Sequence, residues 1–174
     1  MRSFTQRLLT LIALYLTSTF VVSGEVEHPS TDKLSGYIEK HCRQNCVDPA
    51  VLHFGVEAVA DELDVNPVVL LAIVKVESNF RIKAVNTKNG KSAGLMQIQV
   101  RWHLDKFRGK NHLDIMDNLR VGAMVYRDCA KKHNGNREKA LLCYNGYQKN
   151  GMKTYVPKVL QAYKELEQMD LQFS

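Results

Sequence analysis

Residues 68–76, Val-Val-Leu-Leu-Ala-Ile-Val-Lys-Val, are apolar at every position but Lys75. A helix over this stretch is hydrophobic nearly all round, so it has to lie inside the fold with other elements wrapped around it. A carboxylate, Glu77, closes the stretch. On helical spacing Ile73 and Val74 stand one turn behind it and Phe80 one turn ahead, which sets an ionisable group against apolar walls. Burial of that kind raises a carboxyl pKa and is the usual route to a general acid that works near neutral pH.

The chain has 174 residues, enough for one domain with a real core. Its first two dozen residues have the layout of an export signal: Arg2 and Arg7, an apolar run over residues 8–22, then Ser23 and Gly24. Cleavage is expected after Gly24. An uncleaved anchor is the alternative, but the run falls short of the ~20 residues that span a bilayer, and Thr10, Thr17, Ser18 and Thr19 interrupt it. The expected organisation is a signal peptide at 1–24, an extension carrying a cysteine pair at 25–47, and a catalytic domain at 48–174. Export places the protein in the periplasm or outside the cell. The formal charge is +6, to which Arg2 and Arg7 contribute, so the mature chain is modestly basic. Lysines and arginines such as Lys91, Arg101, Arg108, Lys131 and Lys158 are scattered rather than gathered, which argues against a nucleic-acid partner and suits a polyanion such as a wall polymer.

Along the chain, Leu34, Tyr37 and Ile38 mark a first helix starting near Asp32 or Lys33, after a polar linker. Asp48-Pro49 and Asn66-Pro67 repeat one device, an N-cap followed by proline at the first helical position. Between residues 81 and 92 the sequence turns polar, and Asn89-Gly90 predicts a turn that closes a small hairpin. Leu95, Met96 and Ile98 read by themselves as core. Asp114 or Asp117 caps a further helix reaching to about His133, a short helix runs into Tyr144-Asn145-Gly146, and the last spans roughly residues 155–168. No long strand or repeat appears, so the fold expected is mainly α.

Four cysteines, Cys42, Cys46, Cys129 and Cys143, are an even number in an exported chain; one or two disulfides are expected and three pairings are open. Cys129 and Cys143 fall on successive helices joined by a tight turn, where a bridge needs Cα atoms within ~7 Å. His41, Cys42, Cys46 and His53 invite a zinc reading, yet their spacing fits no common zinc pattern. A local or long-range disulfide is the better reading, and no metal or cofactor is expected.

Glu77-Ser78-Asn79-Phe80, Ala84 with Asn86, Gly94-Leu95-Met96-Gln97-Ile98, Asn118 with Gly122 and Tyr126, and Tyr144-Asn145 follow one another in order. Together they resemble the soluble lytic transglycosylase catalytic domain, related in fold to goose-type lysozyme, over roughly residues 51–163. The resemblance implies a lysozyme-like, mainly helical fold, with a small hairpin near a groove for peptidoglycan glycan strands. It implies that Glu77 is the catalytic acid/base and that Ser78 helps position the carboxylate and the sugar. Met96 and Gln97 fall on the groove-lining pair, Tyr144 on a tyrosine that hydrogen-bonds near the carboxylate, and Asn145 on a substrate contact, while Gly94 lets the backbone approach closely. The family usually has proline where this chain has Val100, a small residue where it has Cys143, and Ala-Gly where it has Gly146-Tyr147.

Most glycosidases use two carboxylates. The nearest acids before Glu77, Asp64 and Glu62, and the first acid after it, Asp105, lie outside the matched blocks. The implied reaction therefore relies on Glu77 alone and on the substrate's own groups, cleaving the MurNAc-GlcNAc β-1,4 bond to leave a 1,6-anhydromuramyl end. The alternatives are a hydrolytic muramidase on the same fold and a catalytically silent peptidoglycan-binding assembly protein. A small exported wall-cleaving enzyme, expected to act as a monomer, suits opening of the wall for a secretion, conjugation or pilus apparatus.

Overall fold

The computed structural model describes residues 29–87 and 92–173. The expected signal peptide and the Asn89-Gly90 turn lie outside them. Six α-helices are present among the described residues: α1 (Pro29–His41), α2 (Pro49–Leu63), α3 (Pro67–Ser78), α4 (Ile115–Lys132), α5 (Arg137–Tyr144) and α6 (Gly151–Glu167). Between α3 and α4 run three two-residue strands, β1 (Val85–Asn86), β2 (Ser92–Ala93) and β3 (Ile98–Gln99), in one antiparallel sheet of that order. The mainly helical fold is the one expected, and the sheet has one strand more than a hairpin. Strands this short leave no alternation to read in a sequence. No helix among the described residues is long and apolar enough to cross a membrane.

Helix α3 is the axis of the domain. Val69, Leu70, Leu71, Ala72, Ile73 and Val74 are all buried, and α6 and α2 pack against it. Its start is the predicted one: the Asn66 side chain accepts from the Val69 amide with Pro67 next to it. Asp48 accepts from Val51 to begin α2 in the same way, and Asp114, rather than Asp117, caps α4. Helix α1 begins at Pro29, earlier than the sequence suggests, since proline fits a helix's first turn. Helix α6 likewise starts four residues before Tyr155, at Gly151, and carries Pro157 inside it.

The extension is built into the core. Leu34 and Ile38 of α1 are buried, and the Tyr37 hydroxyl donates to Glu165 of α6 at 2.7 Å. Cys42 and Cys46 are bonded to each other, with Cα atoms 5.8 Å apart, so neither thiol is free for a metal. The segment they close runs beside the residues that follow α3: the Val47 amide donates to the Phe80 carbonyl at 2.9 Å, and the Ile82 amide to the Asn45 carbonyl at 2.9 Å.

The second bridge, Cys129–Cys143, joins α4 to α5 across Cα atoms 5.7 Å apart. It closes a loop of 14 residues in the unfolded chain, for which the chain-entropy cost removed is about 3 kcal/mol. Replacing Cys129 and Cys143 together by alanine should lower unfolding stability by roughly that amount in a urea titration. A loss below about 1 kcal/mol would mean that helix packing alone fixes α5.

Candidate active site

Glu77 sits in the last turn of α3, and the chain leaves the helix abruptly just beyond it. Asn79 and Phe80 are both left-handed, with φ of 48° and 64°, a conformation that costs a non-glycine residue about 1 kcal/mol or more. Contacts on each side hold it. Lys75 Nζ donates to Asn79 Oδ1 at 2.7 Å, and the Asn79 amide closes on the Lys75 carbonyl. Phe80 is wholly buried, edge-on to Tyr37 at 5.9 Å between centroids.

The Glu77 carboxyl faces a cleft of about 410 Å³ lined by Val76, Asn145, Gln148, Tyr155 and Lys158, among others. Glu77 is the one acidic side chain lining it among the described residues. Burial pushes the Glu77 pKa up to about 7, against a smaller, opposing influence from the Tyr155 hydroxyl. That hydroxyl is itself buried and meets no partner in strict hydrogen-bond geometry, so its contact with the carboxyl is a loose one. Burial and the negative charge of Glu77 hold both Tyr155 and Tyr144 well above the ordinary tyrosine pKa, which keeps them neutral donors.

The segment from Gly94 to Gln97 is the connection between β2 and β3, and a buried amide fixes its shape. Asn118 of α4 accepts from the Met96 amide at 2.8 Å and donates to the carbonyls of Ala93 at 3.0 Å and His112 at 2.8 Å. Gly94 has φ of 79°, and a Cβ there would run into the Asn118 amide. Met96 is fully buried and packs so closely on α4 that a Cβ on Gly122 would collide with its sulfur. What Met96 gives the site is backbone: its carbonyl accepts from the Tyr144 hydroxyl at 2.8 Å. Tyr144 thus ties α5 to the loop and feels the charge of Glu77 without donating to it.

Gln97, left-handed at φ 49°, spends both amide hydrogens on the protein, donating to the carbonyls of Ala84 and Gly94 at 2.9 Å each. Its Oε1 has no partner among the described residues, which leaves an acceptor and no donor for a ligand. Ser78 is buried and donates back to the Val74 carbonyl of its own helix at 3.0 Å. Asn145 lines the cleft, its Oδ1 packed where a Cβ on Gly151 would sit. Tyr147 is held by α4 instead, its hydroxyl 2.8 Å from His133 Nε2. Glu77, Asn145 and Tyr155 therefore share one cleft, Tyr144 stands behind it, and Ser78 and the Met96 side chain belong to the packing. Sequence reasoning missed Tyr155. An aromatic residue with a polar tip, one turn before Val159 on the inner face of α6, was the available signal.

A helical domain built round a buried helix, with a carboxyl at that helix's end and a small antiparallel sheet, has a lysozyme-like fold. The transglycosylase SLT domain family matches residues 56–155, more than half of the chain, and the chain belongs to that family. Its general function follows, that of a transglycosylase domain acting on peptidoglycan. No curated protein was found that matches the chain.

A carboxyl whose folded pKa is raised destabilises the fold as it ionises. Between the unfolded value near 4.5 and the folded value near 7 the native state binds the extra proton, so stability falls as pH rises through this window. From pH 4 to 8 the wild type should lose about 3 kcal/mol relative to Glu77→Gln in paired denaturation curves; parallel curves would show that Glu77 is solvated. Asn118→Ala strands the Met96 amide and two carbonyls in the interior and should cost about 3 kcal/mol. Hydrogen exchange at the Met96 amide should quicken with it, and unchanged protection there would remove Asn118 from its role as clamp.

Proposed function

We propose that this protein is a peptidoglycan lytic transglycosylase in which Glu77 alone acts as acid and then base. The observation that carries the reading is a carboxyl whose pKa burial raises to about 7, in a cleft that no second carboxylate lines among the described residues. Protonated Glu77 gives its proton to the glycosidic oxygen as the bond from C1 of the muramyl sugar breaks. The acetamido oxygen of that sugar bonds to C1 in its place. Ionised Glu77 then takes the proton of the 6-hydroxyl, whose oxygen closes on C1 and releases the acetamido group. Glu77 ends as it began, and the glycan ends in a 1,6-anhydro ring with no water consumed. The apolar surroundings of Glu77 favour both steps, because they keep it protonated at rest and make it a strong base once ionised.

Other groups fill supporting roles in this reading. Gln97 Oε1 accepts from a substrate amide or hydroxyl, Asn145 contacts the sugar, and Tyr144 fixes the loop against the floor of the cleft. Tyr155 steadies the ionised form of Glu77. The enzyme is exported to the periplasm or beyond, where a small wall-cleaving activity suits local opening for a secretion, conjugation or pilus apparatus.

Digestion of purified sacculi tests the chemistry. Wild-type products should be lighter by one water than those of a hydrolytic muramidase, and products carrying that water would assign hydrolysis instead. Glu77→Gln should fold normally and lose on the order of 10³-fold in rate; cleavage at near the wild-type rate would remove Glu77 from the mechanism. Because the first step needs the protonated form, kcat/KM should fall as pH rises through about 7. Tyr155→Phe removes a group that favours the ionised carboxyl, so it should move this limb to higher pH.

A further inference from the structure

A second cleft, of about 530 Å³, adjoins the first. Val76 and Lys158 line both, so the two are continuous past the end of α3. The new part is walled by His41 of α1, Lys75 and Asn79 at the end of α3, and Gln161 and Glu165 of α6. His41, Gln161 and Glu165 lie outside the segment that matches the family, residues 56–155. Helix α1 and the outer half of α6 thus supply much of its wall.

Its chemistry differs from that of a sugar subsite. Among the described residues no tyrosine, tryptophan or phenylalanine lines it, so it lacks the large aromatic face on which a sugar stacks. It gathers two ammonium groups instead. Lys75 uses one hydrogen on Asn79 and has others to give, and Lys158 has no ion pair or hydrogen bond among the described residues. The one acid lining it among the described residues, Glu165, accepts from Tyr37 through Oε2 and from Gln161 through Oε1 and stays ionised. Burial and then the charge of Lys75 lower the His41 pKa against an opposing pull from Glu165, so the ring stays neutral. The space thus sets two ammonium groups against one carboxylate whose oxygens already have donors, which leaves a net positive setting for an incoming carboxylate.

We propose that this second cleft seats the carboxylate-bearing peptide that branches from the muramyl sugar, next to the bond held at Glu77. The proposal rests on the reading of the first cleft as the glycan site. In peptidoglycan the free carboxylates belong to the peptide, and the peptide leaves the glycan at the sugar whose C1 reacts, so a charged cleft continuous with the acid lies where the branch needs room. A volume of 530 Å³ is within the range that encloses a small ligand.

Titration calorimetry on the Glu77→Gln chain tests the idea without turnover, with a disaccharide–tetrapeptide and the matching peptide-free disaccharide as probes. The peptide-bearing probe should bind about tenfold more tightly, the worth of one charge-assisted hydrogen bond. Adding Gln161→Glu, an exposed position on α6, should erase most of that difference by setting a second carboxylate against the ligand's. Equal affinities, or a difference that Gln161→Glu leaves intact in a folded variant, would overturn the proposal. An unrelated acidic peptide that binds as well as the muramyl peptide would overturn it in favour of a protein segment as occupant. Wild-type digestion of sacculi separates the two readings. Cleavage without peptide-dependent binding removes the second cleft alone; peptide-dependent binding by a chain that cleaves nothing removes the catalytic reading and keeps the cleft.

Discussion

Burial at the end of an enclosed helix raises the Glu77 pKa to about 7. Val69 to Val74 are buried without a break, and the carboxyl in the turn that follows them loses hydration that would favour its charge. Everything that keeps α3 enclosed therefore sets the chemistry at its end. Helix α2 covers one side and α6 another, and the latter also brings Tyr155, which moderates the shift without cancelling it. A wetter α3 would leave a carboxylate of ordinary acidity.

The second constraint is that the helix must stop at once. If α3 continued through Asn79 and Phe80, the chain could not turn back into the core before the sheet that follows. Two consecutive left-handed residues turn it back, and the strain is offset by driving Phe80 fully into the core and by giving its carbonyl the Val47 amide. From there the sheet is too small to hold itself, with two residues in each strand. Asn118 supplies what the strands cannot, three hydrogen bonds from a buried side chain to the backbone on and around the β2–β3 connection. The same connection then receives Tyr144, so α4 and α5 both hold the loop in place.

The architecture was largely legible in sequence, because its signals are local and strong: an unbroken apolar run, and two caps of the form Asp-Pro and Asn-Pro. The positions that matter at the cleft were legible in identity and less so in geometry. Gln97 reads as a residue with donor and acceptor to offer, and only the fold shows both hydrogens taken by Ala84 and Gly94. Met96 reads equally as groove or core; its contact with Gly122, across more than twenty residues of sequence, places its side chain inside. Ser78 gave no hint that its hydroxyl would turn back on its own helix. Tyr155 stands at the predicted start of the last helix, and nothing in its sequence setting tells that its hydroxyl comes to Glu77.

The extension shows how a peripheral element can come to bear on a buried carboxyl. Cys42–Cys46 turns the chain sharply at the end of α1, and the turned segment lies along the residues that end α3. Helix α1 is pinned to α6 through Tyr37 and Glu165, so the last turns of α1, α3 and α6 come together on one side of Val76 and Lys158. In a domain made of α2 to α5 and the start of α6 alone, that side of α3 would be open to water. With α1 in place it becomes a walled space whose charges come from Lys75 and Lys158, opposed by Glu165. One packing event thus joins the extension to the core and creates, beside the cleft of Glu77, a cavity of different chemical character.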